Sequence, residues 1–182
     1  MKRLLNCWVL IALSCLPMAC AGSGYAGRPI GQKYYTQHSI RLDRSAYKTT
    51  NYQRGALLPI NSPVTFVASN SRRLKLTMEN GQELLVDNMP RHTGQTMEQA
   101  FDRLLGAEPV DLSRFTSDEQ AAIVDGKVEH AMSREAVLAA VGHPPITGTP
   151  SLEQHTWKYW TSRFATFQVV FDDQWIVIEC PE

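Results

Sequence analysis

Hydrophobic residues change their spacing at Pro90, and this change constrains the fold more than any other feature of the sequence. Before Pro90 they alternate with polar residues, which is typical of strands that bury one face. After Pro90 they recur at three- and four-residue intervals, which indicates one face of a helix. Alternation returns from His155 onward. We therefore predict an α+β fold in which strands, helices and strands follow one another.

An antiparallel β-meander domain is predicted over residues 34–92. Asn80-Gly81 lies between two alternating runs and favours a two-residue hairpin, because both residues tolerate positive φ. Four short strands of this kind predict a small meander or a partly closed barrel. The residues that alternate are Val64, Phe66, Ala68, Leu74, Leu76, Met78, Leu84 and Val86.

A helix that links two domains is predicted over residues 93–112. Thr96 and Gln99 form a capping box at its start, and Gly106 stands where a C′ glycine ends a helix. Its apolar face is expected to consist of Met97, Ala100, Phe101, Leu104 and Leu105.

Residues 113–182 are predicted to form two helices followed by three antiparallel strands. Ser133 is expected to cap the second helix, and Gly126 and Gly142 follow the two helices as stop signals. The acidic pair Asp172-Asp173 is interpreted as part of a hairpin turn between strands. The helices are expected at 117–124 and 134–141, and the strands at 155–160, 164–172 and 175–180.

The C-terminal region resembles the SmpA/OmlA family of outer-membrane lipoproteins over about residues 117–178. The similar segments include Met132-Ser133-Arg134-Glu135-Ala136-Val137, Gly142-His143-Pro144 and Trp157-Lys158-Tyr159, whereas the family's Gly-Met pair is Ala131-Met132 here. The family includes the E-subunit (BamE-like) lipoprotein of the β-barrel assembly machinery. The resemblance implies two helices packed on a three-stranded antiparallel sheet and a lipid anchor in the outer membrane. The upstream meander is similar in architecture to SH3-like barrels of bacterial envelope proteins.

The N-terminal residues have the three parts of a secretory signal peptide, which we predict over residues 1–19. Met1-Lys2-Arg3 is basic, an apolar run follows, and small residues surround the exit site. The apolar run is about half of the ~20 residues that span a bilayer as a helix.

The exit site resembles the lipobox of bacterial lipoproteins, in which the cysteine becomes the acylated first residue. Ala19 precedes Cys20, so we predict lipidation at Cys20 and a flexible, lipid-anchored tether over residues 20–33. Two alternatives are lipidation at Cys15 and ordinary signal-peptidase cleavage after Ala21.

Removal of the leader changes the charge and the cysteine count. The 18 basic residues lose Lys2 and Arg3, which leaves 16 against 18 acidic residues and a formal net charge of −2. This balance argues against general nucleic-acid binding, which needs a basic excess. Cys180 then remains as the one unlipidated cysteine, so the expected stability must come from a packed core and not from disulfides.

The sequence contains no recognisable motif for catalysis, phosphate binding or metal binding. His92 and His130 are interpreted as loop residues, His143 as a residue that shapes the end of a helix, and His155 as a residue on the outer face of a strand. Cys180 has no identifiable base and is interpreted as a structural thiol. We predict no catalytic residues, no metal and no cofactor.

Three aromatic residues near the C-terminus have two interpretations. Trp157 and Tyr159 are expected to share one face of a strand, with Trp160 on the opposite face. One interpretation places these rings in the core. The other makes Trp157, Tyr159 and Trp160 candidate residues for binding a partner.

These patterns favour a non-enzymatic envelope lipoprotein that acts as a protein-binding or scaffolding module at the outer membrane, facing the periplasm. Its expected partners are the membrane, through the lipid anchor, and another envelope protein. A link to outer-membrane protein assembly or to envelope integrity follows from the family resemblance. The first alternative is a soluble periplasmic binding or inhibitory module, and the second is a cell-wall-acting enzyme that uses the meander for targeting.

Overall fold

A computed structural model describes residues 27–181 of the chain. The predicted signal peptide, Cys20, Cys15 and the first part of the predicted tether lie outside these residues. Within the described part, no helix combines the length and the apolar character that crossing a membrane requires. The predicted α+β class is confirmed, because the chain contains groups of consecutive strands separated by groups of helices.

An N-terminal lobe, residues 27–106, is built mainly from strands. Its elements are β1 (Lys33–Thr36), β2 (Ile40–Leu42), β3 (Ala46–Lys48), β4 (Ala56–Leu58), β5 (Pro63–Ser69), β6 (Arg73–Met78), β7 (Glu83–Asp87), α1 (Pro90–Thr93), α2 (Met97–Leu104) and β8 (Leu105–Gly106).

The predicted meander is present as β5, β6 and β7, which pair antiparallel in sequence order. The complete sheet has six strands in the order β3-β7-β6-β5-β1-β8, and β2 pairs with β4 in a separate small sheet. The pairing of β3 with β7 is parallel, so the prediction of a wholly antiparallel domain was wrong at this edge. A parallel pair requires a long crossover between its strands, and no local sequence signal marks which strands a crossover joins.

The turn between β6 and β7 differs in detail from the predicted two-residue hairpin. Only Gly81 has a positive φ, of 80°, and its N–H donates to the carbonyl of Met78. This is the geometry of a longer turn that ends in a left-handed glycine, which is the next most common way to close a hairpin. The hairpin prediction was therefore correct in position and wrong in turn type.

Helix α2 begins as predicted, with Thr96 and Gln99 forming a reciprocal capping box. It does not link two domains, because its apolar face is buried in the N-terminal core. Gly106 does not terminate it either, since Leu105 is already extended and Gly106 of β8 pairs with Tyr35 of β1. The rings that pack here edge to face are Phe101, Tyr34 and Phe66.

The last part of the predicted tether is attached to this lobe. The guanidinium of Arg28 forms ion pairs with Glu98 and Asp102 and lies 4.4 Å from the centroid of the Phe101 ring. The N–H of Gly31 donates to the carbonyl of Phe66 at 2.8 Å. The tether boundary at residue 33 is therefore too late, because residues 28–31 already contact the folded lobe.

A C-terminal lobe, residues 107–181, carries two helices on a three-stranded antiparallel sheet. Thr116 and Glu119 form a capping box at the start of the first helix, and Ser133 caps the second helix, as predicted. Their apolar faces share one core with the sheet. The elements are α3 (Ser117–Asp125), α4 (Arg134–Val141), β9 (Thr156–Trp160), β10 (Thr166–Phe171) and β11 (Val177–Glu179), with the sheet order β11-β10-β9.

Ser39 joins the two lobes through hydrogen bonds in a fully buried position. Its N–H donates to the carbonyl of Ala139, and its hydroxyl donates to the carbonyl of Ile123 at 2.9 Å. The same hydroxyl accepts the N–H of Ile60 at 2.9 Å. Buried backbone groups need partners, so this one side chain satisfies a donor and an acceptor that would otherwise be orphaned.

We expect Ser39→Ala to lower the free energy of unfolding by about 1–3 kcal/mol, because it leaves the Ile60 N–H and the Ile123 carbonyl without partners. Urea unfolding followed by circular dichroism measures this loss. Ser69→Ala is the matched control, since the Ser69 hydroxyl makes only long contacts of 3.4 Å on an exposed strand end. Equal stability of the two variants would contradict the role assigned to Ser39.

Candidate functional site

Trp157 and Tyr159 are core residues. Both are 0% exposed, and the ring of Trp157 packs against Phe171 with a centroid separation of 4.7 Å. The hydroxyl of Tyr159 donates to the carbonyl of Gly142 at 2.8 Å. The interpretation of these two residues as partner-binding aromatics is therefore wrong, because the C-terminal core already covers them.

Trp160 points to the opposite face of β9, as the alternation predicted, and is half-buried. A Cβ atom at Gly148 would collide with its ring, so the ring lies directly on the backbone of that residue. Of the three predicted aromatics, only Trp160 keeps a surface that a partner could touch.

The predicted loop histidines do not form a site together. His130 is exposed in a turn, as expected, whereas His92 lies in the short helix α1 and not in a loop. His155 stacks on the ring of Trp175 with a centroid separation of 4.5 Å. Among the described residues, no group of three or more His, Cys, Asp or Glu side chains is arranged to hold a metal ion.

Asp172 and Cys180 have local structural roles. The carboxylate of Asp172 accepts the N–H groups of Gln174 and Ile176 at 2.9 Å, which closes the hairpin turn between β10 and β11 as predicted. Burial raises the pKa of the Cys180 thiol, and the nearby carboxylate of Glu129 raises it further. A raised pKa disfavours the nucleophilic thiolate, so the described surroundings of Cys180 do not activate it.

A polar cluster lies where the two lobes meet, and we call it the junction: His38, Asn51, Arg103 and His143. His38 follows β1, Asn51 follows β3, Arg103 belongs to α2 and His143 follows α4. These residues line one small cavity together. Four separate parts of the chain therefore converge on this point.

Asn51 holds the end of α4 in place. It is 2% exposed, and its side-chain amide donates to the carbonyls of Val141 at 2.7 Å and His143 at 3.0 Å. Its own backbone has a φ of 53°, a left-handed conformation that asparagine tolerates better than most residues. The amide of Gln53 donates to the Asn51 side-chain oxygen and also to the Val141 carbonyl.

The two histidines of the junction are neutral at pH 7. Burial is the main reason why the pKa of His38 is lowered to about 3, followed by repulsion from His143 in its protonated form and from Arg103. Burial, and then Arg103, lower the pKa of His143 to about 4. Nδ1 of His143 is buried and has no hydrogen-bond partner among the described residues. Both rings thus act as uncharged packing groups beside a cation.

The cavity at the junction has a volume of about 30 Å³. This is room for ordered water and not for a substrate. His38, Arg103 and His143 also line an open hollow of about 450 Å³, together with Asp111, Arg114 and Glu135. The junction therefore joins the two lobes and also reaches the surface at this hollow.

Comparison with known proteins adds no assignment. No family model, no curated protein and no solved structure matches this chain. Membership of the SmpA/OmlA family stays a prediction that rests on the residues quoted above.

Three of the four junction residues were not predicted from the sequence. His38, Asn51 and Arg103 lie between or at the ends of elements, and no spacing pattern connects them. His143 was recognised as a residue that shapes the end of a helix, and its position directly after α4 agrees with that interpretation. The one local signal for the site was Gly142-His143-Pro144-Pro145, which places a histidine at a constrained helix end.

Proposed function

We propose that this chain is an exported, non-enzymatic lipoprotein of the bacterial envelope, anchored through Cys20 and acting by binding another envelope protein. Its N-terminal basic, apolar and small-residue segments support export, and Ala19-Cys20 supports acylation. In the usual sorting rule, the alanine that follows Cys20 favours the outer membrane. The remainder of the chain then faces the periplasm.

The low pKa values of the junction histidines favour binding over catalysis. His38 and His143, which are the side chains best suited to acid–base chemistry, line an open hollow of about 450 Å³ as well as the small cavity. A general acid–base group works best with a pKa near the operating pH, whereas burial lowers these two pKa values to about 3 and about 4. We therefore assign the function to contacts at the outer surface of the two lobes.

The β9–β10 hairpin is the part of that surface with the most exposed aromatic group. Phe164 lies at its tip and is 90% exposed, and the half-buried Trp160 lies on the same hairpin. Aromatic rings of this kind are common anchors in protein interfaces. The hairpin is therefore one proposed contact with an envelope partner.

A role in outer-membrane protein assembly or envelope integrity is the specific form of this proposal. It rests on the SmpA/OmlA resemblance of the C-terminal region. The order α3, α4, β9, β10, β11 is the order that the resemblance implies. The N-terminal lobe is additional to that pattern, so this lobe is where a function of the chain's own would lie.

The anchor is tested by the processing of Cys20. We expect the mature chain to begin at Cys20, to carry a diacylglyceryl mass and to fractionate with membranes. In the presence of globomycin, the unprocessed precursor should accumulate instead. Cys20→Ala should abolish the lipid mass and release the chain from membranes, because the lipid on Cys20 is its one proposed membrane anchor. Mass spectrometry of the purified N-terminus measures the outcome.

Cys15→Ala is the matched control for this experiment and should be processed normally. An unmodified N-terminus at Gly22 in a soluble periplasmic fraction would overturn the anchored proposal and would favour the released binding or inhibitory module. Lipid on Cys15 would move the anchor site without removing it.

A further inference from the structure

Two hollows share Lys48 in their lining, and we call them together the basic groove. The first has a volume of about 520 Å³ and is lined by Arg41, Arg44, Lys48 and Arg54. The second has a volume of about 640 Å³ and is lined by Lys48, Arg72 and Arg73. Lys48 is common to both, so the hollows form one extended cationic surface at the β3 edge of the large sheet.

Most of the positive charge in the basic groove is not neutralised locally. Asp43 and Asp87 are the acidic residues in its lining. Asp43 lies 3.8 Å from Arg54, and Asp87 lies 2.6 Å from Arg73. The exposed side chains of Arg44, Lys48 and Arg72 make no ion pair with any carboxylate in the described part of the chain.

Arg41 has a different role from these three residues. Its guanidinium donates to the carbonyl of Gly126 at 3.2 Å, at the C-terminal end of α3. A cation at this position complements the helix dipole. The charge available to a ligand is therefore that of Arg44, Lys48 and Arg72, concentrated on one side of a chain whose mature form is expected to carry a net −2.

The floor of the basic groove is partly apolar. Ala46, Tyr52 and Leu85 lie in the first hollow, and Met89 and Pro90 lie in the second. Met89 is 36% exposed. A ligand that fits this surface alternates negative groups with apolar ones. A peptide with interspersed acidic and apolar side chains has this composition, whereas a row of phosphate headgroups presents negative charge without apolar side groups.

We propose that the basic groove binds an acidic segment of a partner protein. Carboxylates of the segment pair with Arg44, Lys48 and Arg72, and an apolar side chain between them lies against Tyr52 and Leu85. Arginine suits this task because its guanidinium forms paired hydrogen bonds with a carboxylate. This inference rests on the proposed function and specifies its partner by chemistry.

The proposal is tested by selecting peptides from a random display library on the full-length chain, purified in detergent. We expect the selected peptides to be rich in Asp and Glu and to carry at least one apolar residue between them. Arg44→Glu combined with Lys48→Glu should weaken their binding by about tenfold or more, because it replaces two attractions with two repulsions. Added salt should weaken binding to the unsubstituted chain, since the contacts are exposed.

The matched control combines Lys127→Glu with Arg114→Glu, which makes the same change of charge at exposed positions outside the basic groove. This control should bind the selected peptides as the unsubstituted chain does. Equal losses in both double variants, or selected peptides without acidic enrichment, would overturn the proposal. Groove-dependent binding to phosphatidylglycerol vesicles without binding to the peptides would overturn it in favour of a lipid ligand.

The outcome is separable from the test of Cys20. A chain that is lipidated at Cys20 and selects no acidic peptides retains the proposed anchor and loses the groove assignment. A chain that selects acidic peptides and has no lipid retains the groove and loses the anchor.

Discussion

Acidification from pH 7 to about pH 4.5 is expected to destabilise the folded chain by about 5 kcal/mol through His38 and His143 together. Both rings lie at the junction between the lobes, where Arg103 adds a positive charge from α2. Tyr47, the other titratable side chain lining the junction cavity, has a pKa raised by burial and stays uncharged over this range. Asp111 and Glu135 line the open hollow beside both rings, but among the described residues neither carboxylate forms an ion pair with an imidazole.

The direction of the effect follows from where the protons bind. In the unfolded chain both histidines return to their ordinary pKa of 6.5, whereas the folded pKa values are about 3 and about 4. Below pH 6.5 the unfolded chain therefore binds protons that the folded chain does not bind. Each histidine costs about 1.4 kcal/mol of stability per pH unit in this window, or about 3 kcal/mol at pH 4.5. The loss by His143 levels off near pH 4, and the loss by His38 near pH 3.

Urea unfolding at a series of pH values measures this dependence. We expect the double variant His38→Gln, His143→Gln to lose about 5 kcal/mol less than the unsubstituted chain between pH 7 and about pH 4.5, because it has no imidazole to protonate at the junction. His130→Gln, at an exposed turn, is the matched control and should leave the pH dependence unchanged.

Carboxylates make the stability sensitive to acid in a separate way, which is the same in the unsubstituted protein and in the double variant. Burial raises the pKa of Glu119, but hydrogen bonds from Ser133 and Thr116 outweigh it and leave that pKa lowered. Stability from Glu119 is lost as the pH falls below the ordinary range of a glutamate. The comparison between the two chains cancels this contribution and leaves that of the histidines.

The titration of the rings themselves gives a second measurement that does not require the variants to fold. NMR of the unsubstituted chain should show two histidines that remain neutral well below pH 6.5. Two rings at the junction that titrate near 6.5, or equal pH dependence in the double variant, would contradict the assignment.

Elements with local signals were predictable from the sequence. Thr96 with Gln99 starts α2 where the capping box places it, and Ser133 starts α4, because a cap depends on residues within one turn. The alternation of Leu74 and Leu76 likewise marks a strand with one buried face. These interactions span only a few residues, so the sequence pattern contains the information that determines them.

Features that depend on distant pairing were not predictable in the same way. Nothing near Ala46–Lys48 indicates that this short strand lies parallel to β7. The junction is a stronger case, because Asn51 contacts Val141 and His143 across about 90 residues. Gly106 shows the converse, since its local signal for a helix end was overridden when it paired, in β8, with Tyr35 of β1.

Gly142→Ala is expected to destabilise the chain by about 4 kcal/mol, of which about half is backbone strain and about half is steric conflict. Gly142 has φ 72° and ψ −170°, a region that is accessible almost only to glycine. A Cβ atom there would lie 2.5 Å from Cδ2 of His38 and 3.2 Å from the side-chain nitrogen of Asn51. Its N–H donates to Leu138, so the backbone cannot move away without loosening the end of α4.

The two contributions can be separated with variants that the chain itself offers. Gly81→Ala measures the cost of a positive φ without a steric conflict, because Gly81 has a φ of 80° and a Cβ atom added there would meet nothing within 4 Å. Its expected cost is about 2 kcal/mol. His38→Ala in the Gly142→Ala background removes the ring that the new methyl group would strike. Since the two residues are in contact, the loss in the free energy of unfolding of the double variant should be smaller than the sum of the two single losses by about 2 kcal/mol.

The same cycle tests whether His38 and Gly142 meet in solution as they do at the junction. Thermal or urea unfolding of the unsubstituted protein, the two single variants and the double variant gives the coupling energy between the two positions directly. Additive losses, with no recovery in the double variant, would show that the His38 ring does not lie against Gly142. A coupling of the expected sign would place the protonatable ring of His38 against the end of α4, which is the arrangement that makes the union of the two lobes sensitive to acid.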